Sequence, residues 1–288
     1  MLNLMPIKLA VVIVLYKKRY TESIAIQTML DQVLHDEYLD VTFHIWNNSP
    51  AYSTPLVREG VIWHLGNNDS LSSIYNKIAN LAFSSGYDFF MISDDDTDYS
   101  TFNLEDNMTE ISRAMRTSIG HTVGVFLPRI YANNILVSPG KRFHFLGRLS
   151  PFIETGFNRS KNLLAINSGV VITRFCYEKM NMFYDERLKF YATDTDFFIR
   201  YEKYFEYVYV LDSKINHDLS EYSSDTLERG LFKFGEMVRG YRIIFSEKGF
   251  VFQSVLEVYF FYAAIKKSIA YKSIKFFIFL GEISKSSR

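Results

Sequence analysis

The fold is decided around Tyr87–Tyr99, which reads YDFFMISDDDTDY. Its first seven residues, YDFFMIS, are mostly apolar and predict a buried β-strand. Asp94, Asp95, Asp96 and Asp98 then fall within five residues. Carboxylates this close repel one another unless a cation lies among them. The stretch therefore predicts a strand whose carboxyl end carries a charged site.

Strands and helices alternate before these aspartates. Apolar runs predict strands over Leu9–Tyr16, Val41–Trp46, Gly60–Leu65 and Tyr87–Ser93. Helical spacing predicts two helices. The first is capped by Thr21 and has one apolar face, made of Ile26, Met29, Leu30 and Val33. The second is capped by Asp69 or Ser70 and has one apolar face, made of Leu71, Ile74, Ile78 and Leu81. This alternation predicts an α/β fold in which helices flank a mostly parallel sheet. Ligands bind beyond the carboxyl ends of the strands in such sheets, where the aspartates lie.

The second half is less regular but carries a second acidic group. We expect a strand over His121–Tyr131, a turn, strand and helix over Ile166–Met180, and a strand over Tyr207–Asp212. Asp194 and Asp196 precede a helix-like apolar run. We expect one domain over residues 1–220 and a helical extension over 221–288.

Bulk composition excludes several classes of protein. The chain has 288 residues and a formal net charge of zero, so nothing global indicates nucleic-acid binding. Cys176 is the one cysteine, which excludes an internal disulfide framework, fits a reducing compartment and is expected in the core. The apolar run Leu9–Tyr16 is too short to span a membrane and lacks the flanks of a signal peptide.

Three interpretations of the first acidic group remain open. A calcium loop would use Asp94, Asp96 and Asp98, but Tyr99 stands where such loops need glycine. A solvated turn would use the aspartates as local hydrogen-bond acceptors. In an extended backbone, Asp94 and Asp96 would point the same way and converge on Mg²⁺ or Mn²⁺, while Asp98 would serve the turn.

The second acidic group also has two interpretations. Asp194 or Asp196 could cap the following helix, or one of them could act as a general base. His217 follows a predicted strand and is either a structural histidine or a further ligand of the metal site.

The tail differs in composition from the rest. From Ala263 to Arg288, six basic residues stand against Glu282 alone, and Ile265, Ile269, Phe276 and Leu280 are predicted to share a helical face. The tail either lies on an anionic membrane surface or packs on the domain. Gln253 and Glu257 interrupt the longest apolar stretch, so a membrane span is not expected.

Taken in order, these motifs resemble those of family 2 glycosyltransferases of the GT-A fold, nearest the bacterial rhamnosyl- and galactofuranosyltransferase-like members. The resemblance covers about residues 9–220. Its motifs are LYKK (Leu15–Lys18), WNNS (Trp46–Ser49), YNKIANLA (Tyr75–Ala82), SDDDT (Ser93–Thr97), NSGVVITR (Asn167–Arg174), YDERLKFYATDTDFFIR (Tyr184–Arg200) and HD, which begins at His217.

The resemblance implies an inverting transfer from a nucleotide-sugar to an acceptor hydroxyl, with Mn²⁺ or Mg²⁺ as cofactor. It implies that Asp194 is the catalytic base and that Asp94, Asp96 and His217 bind the metal. It places Tyr16, Asn47, Asn76, Asp94 and Asp95 at the nucleotide-sugar, and Gly169 and Asp196 at the acceptor or in support of the loop.

Further expectations follow from the same resemblance. The donor would be UDP- or dTDP-linked, and the acceptor a glycan or lipid-linked oligosaccharide of bacterial surface polysaccharide such as O-antigen or capsule. The protein would be cytoplasmic, with possible peripheral membrane contact through the tail at the inner face of the plasma membrane.

Two departures and two alternatives accompany the resemblance. Asn47 stands where the family usually has Asp, and Leu15, Tyr16 and Lys17 replace a polar turn. A sugar nucleotidyltransferase is the first alternative, although the segment after the first strand lacks the glycines such enzymes carry there. A non-catalytic GT-A-like binding protein is the second, although it predicts one degenerate acidic group and neither looks degenerate.

Overall fold

The apolar runs form strands, as the sequence predicts. A computed structural model describes residues 6–33, 38–180, 183–217 and 226–286, without the side chains of Val33, His217 and residues 284–286. Its strands are β1 (Ile7–Leu15), β2 (Leu39–Asn47), β3 (Val61–Leu65), β4 (Phe89–Asp94), β5 (Thr97–Asp98), β6 (Val125–Ala132), β7 (Ile135–Ser138), β8 (Gly140–Phe143), β9 (Leu146–Arg148), β10 (Gly156–Arg159), β11 (Leu163–Leu164), β12 (Val171–Thr173) and β13 (Tyr207–His217).

Strands β3, β2, β1 and β4 form the parallel half of the central sheet. Alternate residues of β1 enter two different cores, Val12 on one face and Val11 and Ile13 on the other. Burial on both faces explains why this strand is a continuous apolar run. The register pairs Val14 with Asp94, so the carboxyl ends of β1 and β4 meet at one edge.

The other half of the sheet is mixed. β12 lies between β4 and β6 and is antiparallel to both, β13 is parallel to β6, and β10 is antiparallel to β13 at the edge. β5 pairs with β13, β7 pairs with β6, and β11, β8 and β9 form a separate small sheet. The predicted α/β class, with a mixed and mainly parallel sheet flanked by helices, is confirmed.

Two of the predicted helix starts need comment. The described helices are α1 (Ile24–Met29), α2 (Leu71–Ser84), α3 (Leu104–Met115), α4 (Arg174–Lys179), α5 (Thr193–Tyr204), α6 (Leu227–Ile244), α7 (Phe250–Ala270) and α8 (Lys275–Ser286). Ser70 caps α2 by accepting from the amide of Ser73. The predicted cap at Thr21 is wrong, because Thr21 lies in a 3₁₀ turn and Ser23 caps α1 by accepting from the amide of Ile26.

Two predicted helix faces also differ from the structure. The buried face of α2 contains Ile74, Tyr75, Ile78 and Ala82, whereas Leu81 is exposed. On the other predicted face Ile26, Met29 and Leu30 are buried, but α1 ends at Met29 and a 3₁₀ turn follows over Leu30–Val33. The side chain of Val33 lies outside the described part of the chain.

The tail forms its own core against the rest of the chain. Side chains of α6, α7 and α8 pack with Phe145, and Ile199 of α5 lies beside them. The single tail face predicted from Ile265 to Leu280 is wrong, because the chain turns at Lys272 (φ +49°) between two helices. As a result Ile265 is exposed on α7 and Leu280 is buried on α8. None of the described helices is long and apolar enough to cross a bilayer.

Candidate active site

The first acidic group occupies a turn rather than a continuing strand. β4 ends at Asp94, and Asp95 and Asp96 form the turn that leads into β5. The extended backbone assumed for Asp94 and Asp96 is therefore wrong, and the two-residue alternation of a strand no longer orients them. Their convergence on a cation stays a prediction. Asp98 serves the turn locally, accepting from the amide of Ser100 at 2.9 Å.

Asp94 is held in place by Ser168, which lies just before β12, the strand beside β4. The Ser168 hydroxyl donates to Oδ2 of Asp94 at 2.8 Å and accepts from the amide of Asp94 at 2.9 Å. Oγ1 of Thr97 lies 2.9 Å from the same hydroxyl, which has already used its own proton, so Thr97 is the donor in that pair. Ser168 is fully buried. The orientation of the Asp94 carboxylate is thus fixed by a buried hydroxyl.

Gly169 gives Ser168 its position. Its φ of +77° lies in the left-handed region that favours glycine, and its amide donates to the carbonyl of Ile92 at 2.7 Å. A Cβ at this position would lie 2.6 Å from Cδ1 of Ile215 and 2.7 Å from Cγ of Pro128. Glycine is therefore needed here for the backbone and for close packing; its role toward an acceptor stays a prediction.

Asn167, the residue before Ser168, reaches the second acidic group. Its side-chain amide donates to Oγ1 of Thr193 at 3.3 Å, next to Asp194, and its Oδ1 accepts from the hydroxyl of Tyr184 at 2.8 Å. The dipeptide Asn167–Ser168 thereby connects the end of β4 with the start of α5.

The buried phenol of Tyr75 is close enough to both acidic groups for their charges to affect its pKa. Burial raises the pKa of Tyr75 well above its usual range, and the charges of Asp94 and Asp194 raise it further. Its ring packs against that of Tyr184, with centroids 5.4 Å apart. Carboxylates a hundred residues apart in sequence therefore act on one side chain.

Asp194 and Asp196 occupy the first turn of α5 and do not cap it. The N-cap is Ala192, with φ +65° and no side-chain cap bond, so the N-cap interpretation of Asp194 or Asp196 is wrong. Oδ1 of Asp194 accepts from the amide of Thr195 at 2.6 Å. The amide-rich start of a helix stabilises a carboxylate.

Asp196 is buried and paired with a cation on the next turn of α5. It accepts from Nε of Arg200 at 2.7 Å, and the same guanidinium donates to the carbonyl of Phe183 at 3.0 Å. Burial raises the pKa of Asp196, and Arg200 opposes that effect. The pair fastens the segment that precedes the helix, which fits the predicted supporting role without testing it.

Asp95 has a cationic partner that the sequence does not predict. Nζ of Lys18, just beyond β1, lies 2.8 Å from Oδ2 of Asp95. Burial raises the pKa of Asp95, and the ion pair with Lys18 works in the opposite direction. The Asp95 carbonyl also accepts from the hydroxyl of Ser23 at 2.9 Å. The turn is thus connected to the loop after β1.

The three remaining nucleotide-site candidates differ in what they offer a ligand. Tyr16 is nearly half exposed at the end of β1. Asn47 is buried, and its carboxamide donates to the carbonyl of Ser53 at 3.0 Å and accepts from the amide of Ser49 at 3.2 Å. Both polar groups of the Asn47 side chain are therefore already bonded within the loop. Contact of Asn47 with a nucleobase stays a prediction.

Asn76 is engaged by the segment before α5. Its amide nitrogen donates to the Tyr184 carbonyl at 2.9 Å and to Oε1 of Glu186 at 3.0 Å, and its oxygen accepts from the Tyr184 amide at 2.8 Å. It also lines a cleft of about 730 Å³ with Asp185 and Arg187. Its contact with a nucleotide stays a prediction.

The metal site is incompletely described. The His217 backbone pairs with Thr97, one residue after Asp96, but its side chain and its predicted ligand role lie outside the described residues. Within the described part, no group of three or more His, Cys, Asp or Glu side chains is arranged to hold a metal ion. Asp94 and Asp96 alone would suit a cation that takes its other ligands from a diphosphate.

Cys176 lies outside the candidate site. It is fully buried in α4, and burial raises the pKa of its thiol, as expected for an inert core residue.

Ser168, Asn167, Tyr75 and Lys18 were not singled out as site residues. Each belongs to or borders a motif quoted for the resemblance, so their positions were visible. Their contacts were not, because Asp94 and Ser168 are 74 residues apart.

Comparison with solved structures identifies the fold. S. aureus TarS 1–349 superposes with a TM-score of 0.50 at 13% identity, over 84% of this chain and 73% of that chain. The longer S. aureus TarS structure gives 0.49 at 15% identity, over 88% of this chain but only 43% of that chain, and TarS 1–349 with UDP gives 0.49 at 14%, over 84% and 73%.

No protein-family model matches the chain, and no curated protein matches it. TarS is a glycosyltransferase of GT-A-like fold. At this level of identity the likeness concerns the fold alone. The chain therefore has a mixed α/β, mainly parallel fold similar to that of a GT-A-like glycosyltransferase.

Proposed function

We propose that this protein is an inverting glycosyltransferase that moves a sugar from a nucleotide diphosphate to an acceptor hydroxyl. The observation that carries the proposal is the Asn167–Ser168 connection, in which Ser168 bonds Asp94 and Asn167 bonds Thr193, the neighbour of Asp194. Displacement at a sugar carbon needs a site for the leaving diphosphate and a base for the incoming hydroxyl in one place. The GT-A-like fold supports the same reaction.

Asp194 is the base in this proposal. Its carboxylate takes the proton of the acceptor hydroxyl while that oxygen bonds to the anomeric carbon and the bond to the diphosphate breaks. Attack from the face opposite the leaving group inverts the anomeric centre, through an oxocarbenium-like transition state. The amide of Thr195, 2.6 Å from Oδ1, orients the carboxylate for this step.

The donor binds beyond β1 and β4 in this proposal. Asp94 and Asp96, with His217, would hold Mn²⁺ or Mg²⁺, which would neutralise charge on the departing diphosphate. Tyr16, nearly half exposed, stacks on the nucleobase. Asp95 contacts the ribose, oriented by Lys18 at 2.8 Å.

The finer assignments also belong to the proposal. The donor is a UDP- or dTDP-sugar of the rhamnosyl or galactofuranosyl kind, and the acceptor is a glycan or lipid-linked oligosaccharide of bacterial surface polysaccharide. Such an acceptor would be met in the cytoplasm at the inner face of the membrane. Residues 1–220 form the transferase domain, and residues 221–288 form its extension.

The test is a donor screen followed by one substitution. UDP-, dTDP- and GDP-sugars are titrated with and without Mn²⁺, and transfer from the best donor is measured by nucleoside diphosphate release with an acceptor mixture. Asp194→Asn should lower turnover by at least 10²-fold and leave the donor Kd unchanged. The matched control is Asp98→Asn, whose carboxylate serves the local turn and which should retain turnover.

Each alternative outcome has its own meaning. Normal turnover by Asp194→Asn contradicts the base. Pyrophosphate release from a nucleoside triphosphate and a sugar phosphate would identify a nucleotidyltransferase instead. Donor binding without turnover by any acceptor in the mixture would favour a binding protein.

A further inference from the structure

Helix α7 carries a row of exposed apolar side chains along its outer face. They recur every three or four residues, which keeps them on one side of the helix. The row consists of Val251 (77% exposed), Val255 (52%), Val258 (70%), Tyr262 (56%), Ile265 (37%) and Ile269 (73%). The opposite side of α7 is apolar too, but Leu256, Phe260 and Ala264 are buried in the tail core. The outer row is therefore not part of the tail core.

The apolar surface continues from α7 onto α8. Phe261 is 56% exposed and its ring contacts Phe277 of α8, with centroids 5.3 Å apart. Ile274 and Ile278, at the start of α8, are 72% and 55% exposed. Phe250, at the start of α7, is 85% exposed. We call these exposed residues of α7 and α8 the tail face.

The tail face is larger than monomers usually leave in water. Its exposed fractions, taken over ordinary side-chain areas, amount to on the order of 1,000 Å², against roughly 300–600 Å² for the largest patch on a typical monomer. A contiguous apolar surface of this size indicates a partner.

Basic residues border one end of the tail face. Lys266, Lys272 and Lys275 are exposed around the turn between α7 and α8. Nζ of Lys266 lies 5.8 Å from the ring centroid of Tyr262, so its stem runs along the apolar row. Glu257, elsewhere on α7, accepts from Arg242 at 2.9 Å through both oxygens, which offsets its charge.

We infer that the tail face binds the surface of an anionic lipid bilayer. Apolar and aromatic side chains enter the headgroup boundary, and Lys266, Lys272 and Lys275 meet the anionic headgroups. A second copy of the chain is the other candidate occupant. It would need only the narrow row on α7, whereas the observed surface spreads across two helices and has lysines at one end, which suit anionic headgroups.

The test uses the full chain and vesicles of stated composition. Flotation with vesicles of phosphatidylcholine containing 30% phosphatidylglycerol should recover the protein, and vesicles of phosphatidylcholine alone should recover at least tenfold less. The triple variant Val251→Ser, Val258→Ser, Ile269→Ser should reduce binding at least tenfold. The triple variant Lys266→Glu, Lys272→Glu, Lys275→Glu should do the same.

Each triple variant has a matched control on another surface. Val57→Ser with Ile135→Ser removes exposed apolar groups elsewhere, and Lys8→Glu, Lys161→Glu, Lys203→Glu makes the same charge change away from the tail. Both controls should bind as the parent does. Circular-dichroism melting of every variant confirms that the altered positions, which are exposed, leave folding intact.

Three results would overturn the inference. These are no recovery of the parent with anionic vesicles, equal recovery of parent and tail variants, or a stable dimer by light scattering that the serine substitutions dissociate. Vesicle binding is measured without donor or acceptor, so its outcome is independent of the proposed transfer.

Discussion

Ser168 and Asp94 exchange two hydrogen bonds across a separation of 74 residues: the serine hydroxyl donates to the carboxylate at 2.8 Å and accepts from the aspartate amide at 2.9 Å. One buried hydroxyl thus fixes both the backbone and the side chain at the end of β4. Its neighbour Asn167 extends the same connection to Thr193, beside Asp194.

Replacing Ser168 with alanine should disturb the site more than the fold. Ser168→Ala leaves the Asp94 amide without its acceptor, at a cost of about 1–3 kcal/mol in the free energy of unfolding. If Asp94 binds the donor, the donor Kd should rise by about tenfold or more. Urea unfolding and donor titration measure the two effects. Ser160→Ala is the control, because Ser160 is also buried and bonds the Phe205 carbonyl; it should lower stability and leave the donor Kd unchanged.

Gly169 should not tolerate a side chain. Gly169→Ala meets an unfavourable φ of +77° and contacts at 2.6 and 2.7 Å, so we expect a loss of about 2–4 kcal/mol. Gly156→Ala separates the two causes, because Gly156 has φ +91° with nothing within 4 Å of the added Cβ, and it should cost only about 1 kcal/mol. Equal losses in urea unfolding would show that packing against Ile215 and Pro128 is unimportant.

Asn76 offers a test between a structural and a ligand-binding role. Asn76→Ala removes three hydrogen bonds to Tyr184 and Glu186, which should lower the free energy of unfolding by about 1–3 kcal/mol. If Asn76 acts only by positioning the segment of Tyr184 and Glu186, turnover should fall while the donor Kd stays constant. A raised donor Kd would support the nucleotide contact predicted from the sequence. Asn80→Ala, one turn along α2, removes one bond to Tyr177 and is the control.

A histidine pair should make stability depend on pH. Nδ1 of His44 lies 3.0 Å from Nε2 of His64, and burial, with a smaller contribution from His64, lowers the pKa of His44 from 6.5 to about 4. Between these values the unfolded chain binds a proton that the folded chain does not. Stability is therefore complete above pH 6.5 and falls as the pH drops toward 4, by about 3 kcal/mol at most.

Substitution of His44 checks this dependence. His44→Phe should reduce the difference between urea-unfolding free energies at pH 7 and pH 5. His121→Gln alters an exposed histidine and should leave that difference as in the parent. An unchanged pH dependence in His44→Phe would contradict the assignment.

The parallel half of the sheet could be predicted because burial on two faces leaves a continuous apolar run, as in β1. β13 was predicted to end at Asp212 but continues to His217. In its extension, buried Ile215 lies between exposed Lys214 and Asn216. That two-residue period is a strand signal, and the polar residues concealed it.

The residue types of the candidate site were easier to find in the sequence than their arrangement. The carboxylates stand out in the sequence because clustered like charges repel one another unless a cation lies among them. A turn at Asp95 and Asp96 was only one of three interpretations left open, since nothing local distinguishes a strand end from a strand. Ser168 and Asn167 act through contacts made only after folding, so local patterns could name the residues without giving their partners.

The Asn167–Ser168 dipeptide has an evolutionary consequence. It connects Asp94 with Thr193, the neighbour of Asp194, while the small sheet of β8, β9 and β11 lies on the chain between Asp98 and Asn167 without forming part of that connection. We therefore expect insertions, deletions or substitutions within the small sheet to leave the spacing of Asp94 and Asp194 unchanged. A change in the small sheet is therefore expected to alter what it contacts without moving the two acidic groups relative to each other.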